Sequence, residues 1–239
     1  MHGDPLAGCD PNGAEGPSDA APNVLEAALA YLRRGWSVIP VCRSAANGGG
    51  CLQHGGGCGS PGKTPLIPWT EFQRRRATEA EVRVWAMRWP DMNIGIVTGA
   101  VSGLLVVDVD DAVAVAEVNA LAPCGAYIPT ASTPRGGRHF YFALPAGAPL
   151  RNAVGVGGMK LDLRAEGGYV VAPPSVGANG SGYEWIAEPD EAESLTQLDG
   201  DLLALLRSGA PRGAGAAPKL TPGATPGGAR LHEGGRNHG

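Results

Sequence analysis

Apolar and polar residues follow two rhythms along the chain, and the rhythm changes where glycine and proline cluster. Leu25, Ala28, Leu29 and Leu32 recur at helical spacing and predict a helix over residues 23–35. The run WSVIPV at 36–41 predicts a strand. Thr78 followed by Glu81 has the spacing of a capping box, so a helix is expected to run to about Arg88 and stop before Pro90. Short apolar runs predict strands over 93–98 and 104–109, with a helix from 111 to about 121. Further strands are expected over 139–144, 160–164, 169–172 and 183–186, and a last amphipathic helix over 194–206. Strands and helices mix without strict alternation, which favours an α+β class over a parallel α/β one.

Composition sets the boundaries. Gly 38 and Pro 21 in 239 residues imply long loops, while 43% hydrophobic residues are enough for a core. Residues 1–21 are rich in Gly, Pro, Asp and Ala and are expected to be disordered. Residues 22–208 carry the periodic patterns of one ordered domain. The segment 209–229, GAPRGAGAAPKLTPGATPGGA, reads as a flexible linker, and 230–239 as the start of a further, truncated helical module. Net charge is -4 and the isoelectric point is near 5.7, so any nucleic-acid contact must be local. Arginines number 16 against three lysines, and two of the lysines, Lys63 and Lys160, lie beside the motifs below. No apolar run approaches the ~20 residues that span a bilayer. No signal-peptide pattern opens the chain, so a cytoplasmic protein with no membrane partner is expected. Five cysteines, an odd number, argue against a disulfide framework.

Two motifs share the long loop at 42–68, which holds eight glycines. Cys42, Cys51, His54 and Cys58 are spaced C-x8-C-x2-H-x3-C, four soft ligands suited to a tetrahedral structural zinc ion. The bland alternative is a core cysteine at the end of a strand with incidental neighbours. Residues 57–64, GCGSPGKT, also match the phosphate-cradling loop of P-loop NTPases, with Lys63 as its lysine. That loop must follow a strand and open a helix, and here glycines precede it while Pro65 and Pro68 follow.

The acidic run GLLVVDVDD at 103–111 ends an apolar strand in carboxylates. Residues two apart on a strand share a face, so Asp108 and Asp110 project together. A divalent cation relieves their repulsion, although Asp110 or Asp111 can equally cap the following helix. Downstream, STPRGGRHFYF delivers His139 at the head of an aromatic strand, where Arg135, Arg138 and His139 can contact an anion. In KLDLR, the polar residues Lys160, Asp162 and Arg164 alternate with Leu161 and Leu163, which puts the three on one face. Carboxylates to hold metal and basic groups to hold phosphate make the inventory for a nucleoside triphosphate with Mg²⁺ or Mn²⁺.

In order, VVDVD (Asp108, Asp110), GRH (His139) and LD (Asp162) resemble the three motifs of the N-terminal primase–polymerase (prim-pol) domain of the archaeo-eukaryotic primase superfamily. GWSVIPV, PGKTPLIPW, NIGIVTG and GGYVVAPPS fit the same resemblance, which spans roughly residues 24–207. The GRH triplet lacks the serine usual in the second motif, and Ser132 and Thr133 lie just upstream. The resemblance implies a prim-pol fold: an N-terminal αβ unit joined to a unit with an RNA-recognition-like sheet. It implies metal-dependent nucleotidyl transfer that makes or extends primers on single-stranded DNA from an NTP or dNTP, as in plasmid, phage or prophage replication proteins. Asp108, Asp110 and Asp162 are then the metal ligands. His139 contacts the triphosphate, Arg138 assists it, and Lys160, Arg164 and Lys63 are phosphate contacts. Relatives often carry a Cys/His insertion ahead of a G-K-x-P segment, which favours zinc at Cys42–Cys58, and a helical module or helicase often follows. Two rival functions remain at this level: the P-loop NTPase, and a non-catalytic, zinc-stabilised module that recruits DNA or a helicase.

Overall fold

The computed structural model of the chain describes residues 23–45, 50–147, 150–190, 194–198 and 200–208. The expected disordered N-terminus, linker and truncated module lie outside the described residues.

Helix α1 (Val24–Arg33) starts where the Asn23 side chain accepts the Glu26 N–H at 2.9 Å. Strand β1 (Ser37–Val41) follows at once. Helix α2 (Glu79–Arg88) opens on the full capping box: the Thr78 hydroxyl accepts from Glu81 N–H, and the Glu81 carboxylate accepts from Thr78 N–H. Strands β2 (Asn93–Val97) and β3 (Leu104–Val109) come next, then helix α3 (Ala112–Leu121). Asp111 is the cap of α3 and accepts from Ala114 N–H at 2.9 Å. The remaining elements are β4 (Thr130–Ser132), β5 (Arg138–Ala143), β6 (Leu161–Arg164), β7 (Tyr169–Ala172), β8 (Glu184–Ala187) and α4 (Gly200–Ser208).

The class is mixed α+β with two antiparallel sheets, in strand order β1-β2-β7 and β6-β3-β5-β4-β8. The first sheet is not contiguous in sequence, because β7 returns from the far end of the chain to pair with β2. Pro40 is tolerated in β1 because β1 is an edge strand. Strand β3 alternates its apolar residues between two cores. Leu104 and Val106 join Tyr141 in one core with α1, α2 and the three-stranded sheet. Leu105, Val107 and Val109 join Phe140 and Phe142 in a second core under α3 and α4. The five-stranded sheet therefore has helices on one face and the three-stranded sheet's core on the other.

Two features depart from expectation, and the objection to a P-loop holds. Strand β4 was not foreseen, since three residues reading TAS carry no apolar signal. The last helix begins at Gly200 rather than 194. Before it, residue 197 forms a parallel bridge with Ala143, and that pairing wins over local helical spacing. Finally, residues 57–64 open no helix: Pro65 bridges to Val41, and the first helical turn downstream is a 3-10 turn at Thr70–Gln73. The P-loop geometry is not formed.

Candidate active site

Strand register assembles the site. Asp108 on β3 lies opposite His139 on β5 and opposite Asp162 on β6, so the three side chains form one row across the sheet. That row lies on the same face as Leu104, Val106 and Tyr141, which are fully buried. Polar residues appear where this face leaves the apolar core. His139 is buried at 5% exposure, and its Nε2 stands 3.3 Å from Asp108 Oδ1. The Arg164 Nη2 group donates to Asp162 Oδ2 at 2.8 Å and reaches Asp108 Oδ2 at 3.5 Å. Gly155 N–H donates to Asp162 Oδ1 at 3.1 Å.

The two carboxylates of the row differ electrostatically. Burial pushes Asp108 upward, but the His139 imidazole against it and the charges of Arg164 and Lys63 outweigh it and hold the group below the usual carboxylate range. Burial also raises Asp162. There the Gly155 N–H and Arg164 oppose it, while the negative charges of Asp108 and Asp110 add to it, and the net direction is up. Like charges crowd at this spot, and a divalent cation would relieve the crowding. The donor chemistry thus fits a hard ion.

Other expected residues fall at varying distance from the row. Asp110 lies just beyond β3; its N–H donates to Lys160 O, and its charge acts on Asp162 and Tyr183. Asp108, Asp110 and Asp162 do not close up as tightly as the cysteine group below. Lys63 is exposed, and Tyr169 Oη donates to its carbonyl at 2.5 Å. Arg164 stays with the carboxylates rather than standing free for phosphate. Arg138 and Lys160 depart from expectation. Arg138 is adjacent to His139 on a strand, so the two project to opposite faces, and its Nη1 group donates to the Gly137 carbonyl at 2.9 Å. Lys160 sits one residue before β6, and its Nζ lies 3.9 Å from Asp111 at the α3 cap.

Sequence reading gave Tyr183 no role beyond the start of a strand. The Tyr183 ring packs 5.8 Å from the His139 ring; burial lifts its hydroxyl to about 12, with Asp108 and Asp110 adding to that and Arg135 opposing it. No local motif marks Tyr183, which precedes β8 and arrives only through sheet pairing.

In the loop after β1, the ligand atoms of Cys42, Cys51, His54 and Cys58 all lie within 4.8 Å of one another. Among the described residues this is the one group of three or more His, Cys, Asp or Glu side chains so arranged. Tetrahedral zinc with Zn–S bonds near 2.3 Å separates two sulfurs by about 3.8 Å. Cys42 Sγ and Cys58 Sγ are 3.8 Å apart, and His54 Nδ1 is 3.2 Å from Cys51 Sγ. The His54 N–H donates to Cys51 Sγ at 3.1 Å. Burial alone would raise Cys58, yet hydrogen bonds from Thr64, His54 and the Ser60 backbone bring it down to about 7, whereas burial lifts Cys42 to about 12. This Cys3His cluster can bind a metal ion.

An α+β protein with an Asp-Asp-His row on an antiparallel sheet and a separate Cys3His loop is the class that fold and site define. More particularly, the chain belongs to the family of bifunctional DNA primase/polymerase N-terminal domains (Prim-Pol), whose model matches residues 28–198. Membership implies DNA primase or polymerase activity, with DNA and nucleotides as substrates. Comparison with curated proteins found no match. None of the helices among the described residues is long and apolar enough to cross a membrane.

Proposed function

We propose that this chain is the catalytic primase/polymerase domain of a plasmid, phage or prophage replication protein, and that it joins nucleotides on a single-stranded DNA template. The observation that carries this reading is the cross-strand row Asp162–Asp108–His139, beside Arg164 and within reach of the Lys63 charge. Asp108, Asp110 and Asp162 hold Mg²⁺ or Mn²⁺. Divalent metal supplies a lower pKa at the attacking 3′-hydroxyl and neutralises the departing pyrophosphate. His139, fixed against Asp108, presents its imidazole edge to the triphosphate. Arg164 balances the carboxylate charge before metal arrives, and Lys63 draws the phosphates to the row. Arg138 and Lys160 face phosphates of template or primer at the rim. The αβ unit around β1 and β2 and the RNA-recognition-like sheet around β3 and β5 are the two walls of this site. The Cys42/Cys51/His54/Cys58 cluster holds a structural Zn²⁺ ion, and a helical module or helicase follows in the full-length, cytoplasmic protein.

The test is primer synthesis and extension on single-stranded DNA with NTPs or dNTPs and Mg²⁺ or Mn²⁺. Wild type incorporates nucleotide, and Asp162→Ala loses at least about a hundredfold, the scale of a removed electrostatic catalytic group. DNA binding without incorporation in wild type would leave only a recruiting module.

A further inference from the structure

Two polar atoms behind the row have no hydrogen-bond partner among the described residues although both are buried: His139 Nδ1 and Tyr141 Oη. His139 and Tyr141 are two apart on β5, so they share a face, and their ring centroids are 6.4 Å apart at 61°. The Tyr141 ring is clamped. It stacks on Trp36 at 5.8 Å and 16° and leans on Trp185 at 5.0 Å, so its hydroxyl cannot swing elsewhere. Burial pushes that hydroxyl well above its usual value, and Tyr31, Asp108 and Tyr183 push the same way.

Buried donors and acceptors are nearly always paired, by protein or by an enclosed water. His139 Nε2 stands 3.3 Å from Asp108 Oδ1, so a ring whose Nε2–H faces that carboxylate leaves Nδ1 as an acceptor. We propose that Tyr141 is a positioning residue for His139: its hydroxyl donates to one enclosed water, which donates to His139 Nδ1. The bridge fixes the tautomer and ring plane, so that Nε2 faces the Asp108 carboxylate and the space where a triphosphate would lie. Its functional consequence rests on the reading of His139 as a triphosphate contact.

The experiment uses the full chain with ¹⁵N-labelled histidine, at one fixed pH. The chain has five histidines, and the His139 ring signals are identified by their loss in His139→Gln. Wild type is expected to show the Nε2-protonated tautomer with a hydrogen-bonded Nδ1. Tyr141→Phe keeps the ring and removes the hydroxyl. It should move the Nδ1 resonance toward that of a free acceptor and raise the nucleotide KM about three- to tenfold, the scale of one lost hydrogen bond, with a smaller change in kcat. An unmoved Nδ1 resonance in Tyr141→Phe overturns the proposal. If Nδ1 moves while His139→Gln still incorporates nucleotide as wild type does, the positioning stands and the triphosphate reading of His139 falls. Should Tyr141→Phe not fold, the wild-type spectrum decides. A slowly exchanging Tyr141 hydroxyl proton near the His139 ring supports the bridge, and a rapidly exchanging one overturns it.

Discussion

Asp108 has two neighbours competing for its charge, an imidazole at 3.3 Å and a guanidinium at 3.5 Å, so its carboxylate is the electrostatic centre of the row. Changing it to asparagine keeps size and shape but removes the charge. Asp108→Asn is therefore expected to lose at least about a hundredfold in nucleotide incorporation while melting close to wild type; the paired measurements are primer extension and thermal denaturation. A variant that keeps its activity would remove Asp108 from catalysis. At this scale the sequence was largely legible. Alternation on short strands assigned Asp108 and Asp162 to polar faces, while His139 stood out at the head of an aromatic strand and in the GRH motif. Their adjacency could not be read, since it depends on β6 and β5 flanking β3. Arg138 follows the same alternation: next to His139 in sequence, it takes the opposite face of β5. Tyr183 carried no motif at all.

Helix α2 shows how far local chemistry can determine an element. Thr78 and Glu81 cap it, and Arg75 ties Glu81 to the preceding turn at 2.8 Å. The Arg75 hydrogen bond holds Glu81 down to about 2 against the opposing effect of burial, with Thr78 helping. A depressed carboxylate adds stability above its unfolded value near 4.5, and that stability is lost as pH falls from there toward 2. The melting difference between wild type and Glu81→Gln should thus be full at neutral pH and shrink as pH falls below about 4.5, disappearing only below about 2. Thr78→Ala should cost about 1 kcal/mol at neutral pH in chemical denaturation. The metal loop answers to a different lever. Cys42 N–H donates to Thr64 O, and the Cys58 sulfur lies 3.4 Å from the Thr64 hydroxyl, so the two ends of the loop are joined at the cluster. Stripping zinc should accelerate amide exchange across 50–61 while β2 and β3 stay protected, as followed by mass spectrometry. Equal exchange with and without metal would mean that the loop holds itself. Elements of this kind were legible from caps and ligand spacing. Strand β4 and the start of α4 were not, because each depends on a partner distant in sequence.

Across the whole molecule, strands β3 and β5 each feed two cores. Val106 and Tyr141 pack with α1, α2 and the three-stranded sheet, while Val107 and Phe142 pack with α3 and α4. No face of the five-stranded sheet can therefore come apart without disturbing the strands that carry the row. Trp36 is the sharpest probe of this coupling. It is 2% exposed and lies between Tyr31 of α1 and Tyr141 of β5, with centroids 5.7 and 5.8 Å away. Trp36→Ala should cost about 3–5 kcal/mol, a large part of the roughly 5–15 kcal/mol that holds a domain of this kind. If the two sheets are one cooperative body, the loss appears as a single transition shifted to lower denaturant. Far-ultraviolet circular dichroism and fluorescence of the four remaining tryptophans should then trace the same curve. Non-coincident curves would mean that the three-stranded sheet unfolds first and leaves the five-stranded sheet intact. In that case the row would keep its register, and, on the proposed reading of Lys63 as a phosphate contact, nucleotide affinity would fall before the strands of the row melt.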